Sequence, residues 1–201
     1  MTDNTEATKS IIKLNNVRLA FPCLFQPRQY NGQGTPSYSA TLLIDNGSDQ
    51  LDKLKQILQK VAKDKWGAKA SAIYKSLKKG NKICLRDGDV KAEYDGFEGC
   101  QFVTARSAGA PLIIDRNRRP LTESDGRPYG GCYVNVSIEV WAMDNQYGKR
   151  INATLRGVQF VGDGDPFAGG QPADADEFDT LPEDDSDHPT ADDNTDDMWE
   201  D

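Results

Sequence analysis

Histidine is nearly missing from this chain: His188 is the only one in 201 residues. Imidazole is the side chain whose ordinary pKa lies closest to neutrality, so its absence before position 188 removes the commonest general acid or base. Cysteine is sparse as well. Cys23, Cys84, Cys100 and Cys132 form no C-x-x-C pair, which argues against a zinc knuckle or ribbon and for reduced, mostly buried thiols. No stretch approaches the roughly 18 apolar residues of a membrane span. The polar start MTDNTEATKS has no apolar core of a secretory signal, so a cytosolic chain is expected. Nucleophile-elbow, P-loop and dinucleotide fingerprints are absent too. Asp163 and Asp165 in GDGDP lack the third acid and distal Glu of a calcium loop and read as a turn. Asn152-Ala153-Thr154 matches a glycosylation sequon, but it falls in a predicted strand of a cytosolic chain and is set aside. These absences exclude an obvious enzyme and call for no metal or cofactor.

The other deficit is positional. Residues 163–201 contain 16 Asp and Glu and no Lys or Arg, a charge of -16, whereas residues 1–162 hold all 24 Lys and Arg against 16 acids, a charge of +8. A basic body joined to an acidic tail points to a polyanionic ligand or to a tail that imitates one. Residues 1–10 and 163–201 are expected to be disordered, since high charge and few apolar residues cannot support a core. Residues 11–162 are expected to form the folded domain.

Within that domain, IIKLNNVRLAF places Val17, Leu19 and Phe21 on one side of a half-buried strand, and SYSATLLID places Tyr38, Ala40, Leu42 and Ile44 together. PCLFQPRQYNGQGTP between them reads as a loop. In SDQLDKLKQILQKVAKDKW, Leu51, Leu54, Leu58 and Val61 recur at helical spacing behind a Ser48 or Asp49 cap. Residues 68–79 suggest a second helix that stops at Gly80. NKICLRDG, GCQFVTARS and PLIID are short strand candidates. The clearest pair is CYVNVSIEVWAM and RINATLRGVQFV, reversing through DNQYGKR: Val134, Val136, Ile138 and Val140 face a core, and Tyr133, Trp141 and Arg156 face outward. Five or six short strands with a helical insertion predict a mainly β fold, an OB-like five-stranded antiparallel barrel.

The chemistry such a surface offers is stacking and charge. Single strands are held by cations along the phosphates and by aromatic rings under the bases, each stack contributing roughly 1–3 kcal/mol. Candidate groups are Arg18, Tyr30, Lys91, Tyr94, Phe102 and Arg106, the DRNRRP loop with Arg116, Arg118 and Arg119, the outward Tyr133, Trp141 and Arg156, and the reversal with Tyr147 and Lys149. The lysines of residues 53–69 read as a solvated helix face. Exposed strand aromatics also serve as cross-strand packing partners, so both roles stay open for each ring.

Several elements in order carry a resemblance. SAGAPLIID, YGGCYVNVSIEVWAM and LRGVQFVGDGDPF, with VRLAFPCLFQP and SYSATLLI upstream, resemble a family of tailed-phage single-stranded DNA-binding proteins over roughly residues 11–170. That resemblance implies an OB fold, sequence-independent binding of single-stranded DNA, and work in phage replication, recombination or repair within the host cytoplasm. The tail also looks like those of phage and bacterial single-stranded DNA-binding proteins, which end in acids and an aromatic. Here Asp196, Asp197, Met198, Trp199, Glu200 and Asp201 close the chain, so the aromatic is not terminal. The tail is expected to compete for the DNA groove and, once released, to recruit replication or recombination proteins. Two alternatives remain: a strand-annealing recombination mediator, and a protein-interaction or DNA-mimic module that binds no DNA. Oligomeric state is left open.

Overall fold

A computed structural model describes residues 9–30 and 33–167. Of the residues expected to be disordered, 1–8 and 168–201 lie outside the described residues, whereas Lys9 and Ser10 pair with Trp141 and Val140 and residues 163–167 are described. Seven strands and two helices follow in order: β1 Lys9–Tyr30, β2 Gln33–Asp45, α1 Asp49–Trp66, α2 Ala70–Lys79, β3 Leu85–Asp87, β4 Cys100–Ser107, β5 Leu112–Ile114, β6 Tyr133–Asn145 and β7 Gly148–Gly162.

Five of these strands close a barrel. β1 pairs with β2 and β6, β2 with β4, and β6 with β7, all antiparallel; a parallel contact of β4 with β7 at Arg106 and Thr154 completes the ring. This is the OB-like arrangement that the strand count predicts, with the helices inserted between β2 and β4. The alternation in β6 is followed closely: Val134, Val136, Ile138 and Val140 are fully buried, while Tyr133, Asn135, Ser137, Glu139 and Trp141 are half-buried on the outer side. β5 extends the sheet by pairing with β7 from Leu112 to Ile114.

The segment read as a loop is strand instead. β1 runs on to Tyr30 and β2 starts at Gln33, so Pro22, Pro27 and Pro36 sit in a long irregular hairpin whose register slips between Ala20 and Cys23 and again before Arg28. Such slips are β-bulges, which tolerate residues that cannot donate to the ladder.

α1 starts where the Ser48 hydroxyl accepts from the Leu51 amide at 3.3 Å. Asp49 and Asp52 lie in its first turn and Lys63 and Lys65 in its last, the sense that complements the helix dipole. Leu51, Leu54, Leu58 and Val61 join Leu14, Val136 and Ile138 in the main apolar cluster. Burying four such side chains is worth about 1.5–3 kcal/mol each against leaving them exposed, which anchors the insertion to the barrel. A 3-10 turn over Gly67–Lys69 then leads into α2, which contributes Ala70 and Leu77 to the same cluster. Among the described residues no helix is long and apolar enough to cross a membrane.

Candidate nucleic-acid interface

Outward residues of β1, β2 and β4 form transverse rows across the barrel surface. Arg18, Leu43 and Phe102 make one row, Ala20, Thr41 and Thr104 the next, and Cys23, Ser39 and Arg106 the third; Arg28 pairs with Ser37 beyond them. The third row is polar and ends in Arg106. Leu43 and Phe102 of the first row and Ala20 of the second form an apolar patch that is covered by the chain between β3 and β4.

That covering segment is pinned locally. The Asp87 carboxylate accepts from the Asp89 amide at 3.2 Å, and the Asp89 carboxylate accepts from the Gly99 amide at 2.9 Å. Gly88 lies so close to this loop that a Cβ there would come within 2.1 Å of the Phe97 carbonyl oxygen. Phe97 is thereby pressed onto Phe102, centroid to centroid 5.3 Å, and joins it with Ala20 and Leu43 in a second, smaller apolar cluster on the outside of the barrel.

Two aromatic rings lie over this cluster and remain open to solvent: Phe21, 49% exposed, and Tyr94, 44% exposed. They meet edge to face at 5.2 Å, and Phe97 lies under both, at 5.8 Å from Phe21 and 6.1 Å from Tyr94. The Lys91 ammonium stands 5.3–5.7 Å from the centroids of Phe21, Tyr94, Phe97 and Phe102, within the range at which a cation is attracted by aromatic quadrupoles. Lys91 and Tyr94 are thus brought together as the sequence suggests. Phe102 is a correction: it does share the outward face with Arg106, but it is only 1% exposed because Phe97 covers it. Phe21 is a second correction. Alternation puts it with Val17 and Leu19, yet it takes a φ of 45° beside the bulge and turns outward. The signal available in the sequence is Pro22, directly after it, since the residue before proline is conformationally restricted and regular pairing is interrupted.

Arg18 is committed to the fold. Its guanidinium donates to the carbonyls of Gly131 at 3.0 Å and Asp165 at 2.7 Å, and it lies 5.4 Å from the Tyr133 ring and 4.5 Å from the Phe167 ring. Residues 163–167 are thereby held on this face. The Asp165 carbonyl sits where a Cβ on Gly131 would be, at 2.2 Å, and the Phe167 amide donates to the Gly130 carbonyl at 3.2 Å. The GDGDP segment, expected as a turn, is instead an irregular exit from β7: Asp163 accepts from Arg127 at 3.2 Å and from the Tyr129 hydroxyl at 3.0 Å.

The remaining candidates are scattered around the barrel. Arg106 is exposed in its row beside Ser39. Trp141 is half-buried toward the far end of β6, where its indole N–H donates to the Thr154 hydroxyl at 3.0 Å. Tyr147, 77% exposed, marks the β6–β7 reversal, and Lys149 beside it is bound to Asp144. That ammonium comes first, and the Trp66 indole second, among the donors that hold the Asp144 carboxyl below its ordinary pKa. Arg156 is exposed on β7, and Arg116, Arg118 and Arg119 are exposed in the turn after β5. The side chain of Tyr30 and the six tail residues from Asp196 to Asp201 lie outside the described residues.

Two of the four thiols are deeply buried. Burial pushes Cys84 up to about 12 and Cys132 up to about 11; Cys23 and Cys100 are half-buried. Among the described residues no group of His, Cys, Asp and Glu is arranged to hold a metal ion.

Set beside known proteins, residues 10–190 match the family model described as Enterobacter phage Enc34, ssDNA-binding protein. Putative protein p50 of Acyrthosiphon pisum secondary endosymbiont phage 1 is 51% identical over 173 residues, covering 85% of this chain and 93% of that one. The solved structure of the single-stranded DNA-binding protein from bacteriophage Enc34 in complex with ssDNA matches with a TM-score of 0.62 and 29% identity, over 78% of this chain and 88% of the other. Another structure of the Enc34 protein matches with a TM-score of 0.60 and 30% identity, over 84% and 90%. The gp2.5 single-stranded DNA-binding protein of bacteriophage T7, 14% identical with a TM-score of 0.53 over 82% and 92%, shares the fold alone.

Proposed function

The chain belongs to the family of the Enterobacter phage Enc34 single-stranded DNA-binding protein, and on that premise we propose that it binds single-stranded DNA without base preference in phage replication, recombination or repair. The observation that carries the assignment to this surface is the pair of solvent-open rings, Phe21 and Tyr94, set on an apolar cluster with Lys91 among them. Bases stack on the two rings. Lys91, Arg28 and Arg106 lie along the same outward side of the barrel for the phosphates; the exposed Arg116, Arg118, Arg119 and Arg156 add cations elsewhere on the surface, and Tyr147 adds a ring at the β6–β7 reversal. Tyr133 and Trp141 hold secondary places: one lies near the Arg18 guanidinium, the other is tied to Thr154. Stacking accepts every base, and nothing in the arrangement reads base edges. No catalytic step belongs to this reading.

The acidic tail supplies regulation. Fourteen of its 16 carboxylates follow Phe167, the last described residue, which rests against Arg18 on this same face. Tethered there, the tail competes with phosphates at an effective concentration set by the linker. DNA displaces it, and Met198 and Trp199, framed by acids, then engage a replication or recombination protein with a basic-rimmed pocket, the buried aromatic supplying most of the energy.

Two titrations test this. Oligo-dT is expected to quench intrinsic fluorescence with an affinity that falls steeply with salt, and a duplex of equal length to bind more weakly; equal binding to both overturns the proposal. A chain ending at Gly170 is expected to bind oligo-dT more tightly than the full chain. Unchanged affinity removes the competing role of the tail and leaves the DNA-binding assignment in place.

A further inference from the structure

Asp115, Asn135 and Gln159 are far apart in sequence and none is a cation or an aromatic, yet they lie close together, Asn135 on β6, Gln159 on β7 and Asp115 directly after β5. Gln159 pairs with Asn135 on β6 and with Ile114 on β5. A continuous line of hydrogen bonds passes through them. It begins at α1, where the Gln50 amide exchanges two bonds with the Asn15 backbone, at 2.6 and 2.9 Å. The next residue, Asn16, holds a φ of 49° in the β1 bulge and donates its N–H to the Asn135 side-chain carbonyl at 3.0 Å. Asn135 Nδ2 then donates to Gln159 Oε1 at 3.0 Å, and Gln159 Nε2 donates to the Asp115 carbonyl at 3.3 Å. Asp115 ends the line by organising a turn. Its carboxylate accepts from the amides of Asn117 at 2.7 Å and Arg119 at 2.8 Å, and its backbone N–H donates to the Arg119 carbonyl at 2.9 Å.

That turn carries Arg116, Arg118 and Arg119, all exposed, with Arg118 held at a φ of 64°. None of the three has an ion-pair partner among the described residues. Three free guanidiniums on a rigid turn form an anion-binding surface, and a turn that is already ordered loses less freedom when phosphate arrives. Each amide in the row has one neighbour as donor and the other as acceptor, a pattern that an apolar side chain of equal size cannot copy.

We propose that Asn135 and Gln159 are positioning residues, whose amide row fixes the arginine turn relative to the barrel so that its guanidiniums meet consecutive phosphates of a bound strand. The proposal rests on the single-stranded DNA reading above, and salt dependence separates the two. Each phosphate contact on a single strand contributes about 0.7 to the slope of log affinity against log salt. In the full chain with oligo-dT, Arg118→Ala with Arg119→Ala is expected to lower the slope by about 1.4. Gln159→Met and, separately, Asn135→Leu are expected to lower it by a comparable amount with an unchanged unfolding midpoint. Adding Gln159→Met to the arginine double variant is expected to take almost nothing more.

A wild-type slope in both Gln159→Met and Asn135→Leu, with a reduced slope in the arginine variant, overturns the amide row alone. Full additivity of Gln159→Met with the arginine variant does the same, because the amide then acts elsewhere. A wild-type slope in the arginine variant removes the turn from the DNA path and takes the row with it, whereas absence of oligo-dT binding in the wild type and in every variant strikes the DNA reading itself. Where a single variant fails to fold, the other member of the Asn135–Gln159 pair gives the same readout.

Discussion

Two regions of the molecule are rich in positive charge and differ in almost everything else. The helical insertion carries nine Lys and three Asp between Asp49 and Lys79, but it shows no exposed ring: Trp66 is half-buried and donates to Asp144, and Tyr74 is half-buried against the main core. The outward side of β1, β2 and β4 has fewer cations and carries Phe21 and Tyr94 in the open, with Lys91 against them. Lysine on an amphipathic helix is the ordinary way to keep the outer face solvated while the stems cover apolar surface. An exposed phenyl ring backed by a dedicated apolar cluster has no such routine purpose. The +8 of residues 1–162 therefore supplies a general attraction for a polyanion, and on the proposed reading the rings are where a single strand, with its bases free to stack, is held.

The sharpest way to break this contrast is to remove what supports the rings. Phe97 is fully buried between Phe102 and the two exposed aromatics. Phe97→Ala is expected to cost about 3–5 kcal/mol of stability and to abolish tight oligo-dT binding even where the protein stays folded, because Phe21 and Tyr94 lose their seat. Urea unfolding and a fluorescence titration on the same samples measure both. Leu54→Ala, in the core under the helical insertion, is expected to cost about 2–5 kcal/mol with oligo-dT affinity retained in the folded fraction. Equal loss of affinity in the two variants removes the distinction between the regions.

The rings themselves come next. Phe21→Ala and Tyr94→Ala are each expected to weaken oligo-dT binding by roughly 1–3 kcal/mol, with little change in unfolding midpoint since both side chains are half in solvent already. Tyr94→Phe keeps the stacking surface and is expected to bind like the wild type. If Tyr94→Phe is as weak as Tyr94→Ala, the hydroxyl and not the ring carries the contact.

The difference between the regions is also why one was easier to read in the sequence than the other. In α1 the spacing of Leu51, Leu54, Leu58 and Val61 is the packing itself, since one helix face meets one core. In β6 strict alternation survives because its inner side lines the barrel over its whole length. The aromatic face obeys no period. Phe21 leaves the alternation at a bulge with positive φ, and Phe102 follows it but is covered by Phe97, which arrives on an irregular segment. Arg18 resembles a free cation in sequence and is engaged by the carbonyls of Gly131 and Asp165, more than a hundred residues away. Lys91 and Tyr94 were legible because they sit near each other in the chain; Asn135 and Gln159 were not, because a neutral amide gains meaning only from the strand beside it.

Two buried thiols of the main core allow a smaller test. Cys84 lies near Tyr74 of α2, and Cys132 lies near Arg18 and Asp163. Burial raises both, to about 12 and about 11, from an ordinary 9.0. A thiol with a raised folded-state pKa contributes stability that is fully present below its unfolded value and is lost as pH climbs toward the folded one. Stability is therefore expected to hold up to about pH 9 and then fall by about 1.4 kcal/mol per pH unit for each thiol. The share of Cys132 ends near pH 11, while that of Cys84 continues toward 12. Urea midpoints from pH 8 to 11 for Cys84→Ala and Cys132→Ala, compared with the wild type, isolate these shares from tyrosine and lysine titration. A slope unchanged in Cys132→Ala contradicts its burial in the main core.

The smallest effect is expected where charge is densest. Lys53, Lys60 and Lys63 are exposed on α1 and have no ion-pair partner among the described residues, so replacing all three by Gln leaves packing and helix propensity nearly untouched. If the insertion merely solvates itself, the slope of log affinity against log salt for oligo-dT stays at its wild-type value, and the overall attraction weakens only through the net charge of the body, an effect that vanishes above about 0.15 M salt where screening acts within roughly 8 Å. If these lysines touch the strand, each removes about 0.7 from the slope, a difference the measurement resolves. A drop near 2 for the triple variant would place the DNA path over the helices and turn the comparison around: the rings would then be one end of a longer groove, and the insertion, which the barrel does not need for closure, would be there to extend it.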